Sequence, residues 1–108
     1  MNTIIIFLLA LFGFKGVYFP DFDYIAYSNP SAYIHEQGHR LDFYLDSISQ
    51  TDEFKEAISI LPMALENTSC IIKTEECIYR EAYAKLWQAV DGNINNLPPE
   101  LKLFYMEK

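Results

Sequence analysis

Ser28-Asn29-Pro30 fixes the start of a helix, with Asn29 placed to cap it and Pro30 at the first helical position, where a missing N–H costs nothing. From there Ile34, Leu41, Leu45 and Ile48 recur at helical spacing, with Gly38 on the same stripe. One face of this helix is therefore expected to pack into a core, Gly38 admitting a close neighbour. At about 100° per residue, Ser31, His35, His39, Asp42 and Asp46 fall in one narrow sector beside that stripe.

His35 and His39 of that sector belong to His35-Glu36-Gln37-Gly38-His39, an HExxH pattern that uses both histidines of the chain. Its logic is geometric: His at i and i+4 on one helical face bring two imidazole nitrogens to a single metal ion, with the intervening Glu within reach of a metal-bound water. The expected reading is a zinc site, with Glu36 as the general base that activates the water. A catalytic zinc needs a third protein ligand and an open position. No third histidine exists, and the place six residues after His39 is Leu45, so the ligand is a carboxylate or a thiolate.

The rest of the chain is read more coarsely. Gly16 to Pro20 and Tyr24 to Tyr27 suggest two short strands around a turn at Asp21-Phe22-Asp23. Thr51-Asp52-Glu53 opens a second helix, with Phe54, Ala57, Ile58 and Leu61 as its buried stripe until Pro62. Residues 63–73 read as irregular. Thr74-Glu75-Glu76 opens a third helix running to about Val90, ended by Asp91-Gly92, and Pro98-Pro99 begins a short last helix holding Leu101, Leu103, Phe104 and Tyr105.

Three stretches now resemble a known family: His35-Glu36-Gln37-Gly38-His39-Arg40-Leu41-Asp42, the Asp52-Glu53-Phe54-Lys55 helix, and Glu81-Ala82-Tyr83-Ala84-Lys85-Leu86-Trp87. Together with the Pro-led aromatic last helix, they are similar to the gluzincins, zinc metallopeptidases whose third ligand is a Glu on a later helix. The closest resemblance is to the anthrax-lethal-factor type, which includes secreted Pro-Pro endopeptidases, and it covers about residues 30–108. It implies a minimal zincin-like α+β domain, a short N-terminal β-sheet followed by a mostly helical C-terminal part, with Glu81 as the third zinc ligand and a peptide or protein as substrate.

Helical phase agrees with that assignment. Tyr79, Tyr83, Leu86, Trp87 and Val90 form one apolar stripe, and Glu81 lies opposite, with Cys77, Ala84 and Gln88. The alternatives are a solvent-facing Glu81 paired with Lys85 at i+4, and Cys77, one turn earlier, as the third ligand. Asp42, three residues after His39, is expected to accept the second N–H of a ligand imidazole, or else to be a plain solvated Asp. Two positions depart from the lethal-factor type: Thr74 stands where that family has an oxyanion-stabilising Tyr, and Lys85 where it has a second acid.

Composition fits a folded domain: of 108 residues, 51% are hydrophobic and 21% charged, a balance that separates the chain from disordered ones. A net charge of -7 with eight scattered basic residues speaks against a nucleic-acid groove or an anionic membrane surface. Residues 1–14, with the apolar run Ile4 to Phe12, have the length of a signal-peptide core, which points to a secreted or membrane-anchored domain over 15–108. No Lys or Arg precedes the run, however, and β-branched Ile4 to Ile6 would equally suit a buried strand of a cytoplasmic protein. Cys70 and Cys77 would pair after export and stay thiols in a reducing cytosol, and Asn67-Thr68-Ser69 fits a glycosylation pattern. A zinc-binding or protein-interaction module without turnover is the second reading of the same residues.

Overall fold

The computed structural model describes residues 16–66 and 70–106. The apolar segment over residues 1–14 and the Asn67-Thr68-Ser69 pattern thus lie outside the described residues. An antiparallel hairpin comes first, β1 (Gly16–Phe19) and β2 (Tyr24–Tyr27), in the register Gly16 to Tyr27 through Phe19 to Tyr24. Helices α1 (Pro30–Tyr44), α2 (Asp52–Ile58), α3 (Glu75–Ala89) and α4 (Pro99–Lys102) follow, joined by short 3₁₀ turns. This is the α+β class expected from the sequence, and among the described residues no helix is long and apolar enough to cross a membrane.

Helix starts follow their caps. The side chains of Asn29, Thr51 and Thr74 accept from the backbone N–H groups of Ala32, Phe54 and Cys77, each three residues on, so each helix begins where a first-turn donor finds a partner. At the end of α3, Asp91 and Gly92 both take positive φ, and the Gly92 N–H returns to the Trp87 carbonyl.

The first helix is shorter than its apolar spacing suggests. It stops at Tyr44, Asp46 and Ser47 turn with φ of 58° and 57°, and Ile48 belongs to a separate 3₁₀ turn. The cause is the Asp42 carboxylate, which accepts the Ser49 N–H at 2.9 Å and the Ser49 hydroxyl at 2.6 Å and so draws the chain back onto the helix. A hydrogen-bonded buried carboxylate outweighs the weak preference of Leu45 to Ile48 to continue the helix.

Behind α3 lies the core, built on Phe54, Ile58, Ala82, Tyr83, Leu97, Leu101 and Tyr105. Tyr83 and Tyr105 stack with ring centroids 4.1 Å apart, and the Tyr105 hydroxyl donates to the Tyr83 carbonyl at 2.7 Å. The Tyr79 to Val90 stripe faces this core as expected, whereas Leu103 points outward. The opposite side of α3 is left for α1, and the hairpin packs on α1 in turn.

Candidate metal centre

Burial along α1 does not follow the apolar stripe. Its buried residues are Ala32, Glu36, Gly38 and Asp42, so the helix is covered on two flanks: by α3 near Gly38, and by the hairpin near Glu36. His35 and His39 lie between those flanks, their ring centroids 5.0 Å apart. A Cβ on Gly16 would come within 3.1 Å of Glu36 Cγ, so glycine in β1 leaves the space that the Glu36 side chain occupies.

From α3, Glu81 reaches the histidine pair. Its carboxylate bridges the two rings, Oε2 at 2.9 Å from His35 Nε2 and Oε1 at 3.2 Å from His39 Nε2. One ligand atom from each of the three residues lies within 4.8 Å of the others. The side chains are only 17% exposed for each His and 20% for Glu81, enough access for a small ion or water. Two imidazole nitrogens and one carboxylate converging on a point fit the donor preferences of zinc, with a position to spare.

The electrostatics bear the marks of this crowding. Burial works against the charge on Glu81, but hydrogen bonds from both imidazoles prevail and bring its carboxyl down to about 2. Burial likewise opposes a charged His35, and there the hydrogen bond that the ring donates to Glu81, with the charges of Glu36 and Glu81, carries it above its ordinary range. Glu36 moves the other way: burial raises its pKa against the pull of both imidazoles and the Tyr18 backbone N–H. A carboxyl raised in this way holds its proton to higher pH than a solvated one, the direction that favours a group exchanging protons beside the cluster.

Other residues depart from expectation. Asp42, 1% exposed, gives its carboxylate to Ser49 and, at 3.5 Å, to Arg80 Nη1, and the bond to the outer nitrogen of His35 is made by a different side chain. That side chain is Gln88, whose Oε1 lies 2.9 Å from His35 Nδ1. Cys77 is paired with Cys70, which removes it as a thiolate ligand. Thr74 caps α3 and, with His39, Glu76, Cys77, Arg80 and Glu81, lines an open cleft of about 200 Å³. Lys85 Nζ donates to the Glu66 carbonyl at 3.3 Å.

Sequence reasoning missed Gln88, although the signal was present, since Gln88 shares the Glu81 face and Ser31, its other partner, shares the histidine face. Arg80, bound to Glu76 one turn earlier and to Ser47 and Asp42 around the end of α1, was missed because the latter two are tertiary neighbours. No family model, no curated protein and no solved structure matches the chain.

Proposed function

We propose that this chain is a zinc-dependent peptidase of the lethal-factor gluzincin type, with His35, His39 and Glu81 as the metal ligands and Glu36 as the general base. The observation that carries the reading is the Glu81 carboxylate lying between His35 Nε2 and His39 Nε2, on a helix 46 residues downstream of the motif. Bound zinc would supply a Lewis acid that polarises a peptide carbonyl and eases deprotonation of water. Glu36, buried beside the pair and outside the ligand set, takes that proton and passes it to the leaving amine. The hairpin offers backbone groups along its edges to which an extended peptide could add. Export or anchoring through residues 1–14 belongs to the same reading and is supported by the Cys70–Cys77 bridge, since such bonds persist in oxidising compartments.

A second reading, a zinc-binding interaction module without turnover, is favoured by one observation: Thr74 is spent on capping α3, where the lethal-factor type has a Tyr. One experiment separates them. Purified chain should hold about one zinc, lose tight binding in Glu81→Ala, and cleave a mixed peptide library. Glu36→Gln should keep its zinc while cleavage falls by about 10²–10⁴. Zinc uptake without cleavage by the wild type would select the inert module, and absence of zinc uptake would overturn both.

A further inference from the structure

Helix α3 carries a further polar contact to α1, two turns beyond Glu81 on the same face. Gln88 sits between Ser31 and His35: its Nε2 lies 2.7 Å from Ser31 Oγ and 3.3 Å from the Ser31 carbonyl oxygen, and its Oε1 lies 2.9 Å from His35 Nδ1. A carbonyl can only accept, so the amide NH₂ must face Ser31. That leaves the amide oxygen facing His35, and an amide oxygen can also only accept. His35 must therefore present a proton on Nδ1. Nε2 is then the nitrogen that faces Glu81 and the centre of the cluster: without metal it donates to the Glu81 carboxylate, and its proton is the one a metal ion would replace while Nδ1 keeps its own.

We propose that Gln88 is the positioning residue that fixes His35 as an Nε2 metal ligand, the Ser31 carbonyl setting the direction of its amide. The inference rests on the zinc-centre reading above. Because the partner is a neutral amide, His35 is oriented without adding a negative charge to a cluster that already holds Glu81 and Glu36.

Zinc affinity of the full chain, measured by competition with a chelator, tests this in wild type, Gln88→Leu and Gln88→Glu, with the melting temperature of each metal-free protein as a check on folding. Removing an outer hydrogen-bond partner of a ligand histidine commonly weakens binding 10–100-fold, and Gln88→Leu should fall in that range. Gln88→Glu restores an acceptor and should bind at least as tightly as wild type. Equal affinity in Gln88→Leu and wild type would overturn the role of Gln88 and leave the zinc centre standing, whereas a wild type that takes up no zinc would overturn the centre and the inference with it. Should Gln88→Leu fail to fold, ring ¹H–¹⁵N correlation of the zinc-loaded wild type decides: His35 must carry its proton on Nδ1, and a proton on Nε2 would refute the proposal.

Discussion

A Cβ built on Gly38 would meet the Ala84 Cα at 2.8 Å, with the Ala84 Cβ and carbonyl oxygen each at 3.2 Å, so α1 and α3 cross backbone against backbone. This contact sets the centre. Gly38 lies between His35 and His39, and Ala84 lies one turn after Glu81 and one turn before Gln88, so the three clustered side chains and the His35 partner all flank the crossing.

Gly38→Ala pits two effects against each other. Helix propensity alone would stabilise by about 1 kcal/mol. The new methyl group, blocked by backbone and not by a flexible side chain, should force the helices apart at about 1–3 kcal/mol and win. Melting temperature should therefore fall and zinc affinity with it. A rise in melting temperature would mean that the two helices do not approach as described.

Asp42→Asn tests what the acid of the HExGHxxD stretch is for. The buried carboxylate holds two Ser49 groups and touches Arg80, and an amide offers one acceptor oxygen in place of two. Loss of about 1–3 kcal/mol is expected in denaturant unfolding, with the zinc affinity of the folded fraction little changed. A large drop in zinc affinity without loss of stability would return Asp42 to the metal site.

Reduction of the Cys70–Cys77 bridge, which spans a sequence separation of 7, should cost about 2–3 kcal/mol by releasing a closed loop in the unfolded chain. Thermal melts with and without a non-chelating phosphine should differ by roughly 10–20 °C. Coincident melts would show that the bond does not form in solution.

Without metal, stability should peak in mildly acid solution. Glu81, brought from its ordinary 4.5 to about 2, stabilises the fold above 4.5 and loses that contribution as pH falls toward 2. His35, raised from 6.5, stabilises below 6.5 and loses its contribution as pH climbs through the raised value. Glu36 is raised too, so its ionisation above 4.5 costs stability and steepens the alkaline fall. Zinc displaces a proton from His35, so the melting-temperature gain on adding zinc should grow as pH climbs through the raised His35 value. A gain independent of pH would place the metal elsewhere.

Local signals carried well from sequence to structure. Caps at Asn29, Thr51 and Thr74, the hairpin at residues 16–27 and the aromatic stripe of α3 were legible because each is decided within a few residues. The meeting of His35, His39 and Glu81 was legible in part, since helical phase put each on a usable face but the crossing depends on Gly38 against Ala84. Asp42 and Ile48 were misjudged for one reason: a side-chain hydrogen bond to Ser49 ended the helix, and periodicity has no means of registering it. Glu36 on a buried flank was likewise hidden, because the hairpin that covers it is a tertiary neighbour.

The bridged loop has a consequence for the lifetime of the molecule. Ile71 and Ile72 are 82% and 72% exposed and lie between Cys70 and Cys77, an accessible apolar pair of the sort that a protease could attack. A nick there would open the peptide chain but not divide it. The fragment bearing Glu81 and Gln88 would stay tethered to the one bearing His35 and His39, so a cut copy could keep its centre assembled, its damage visible only on a gel run under reducing conditions.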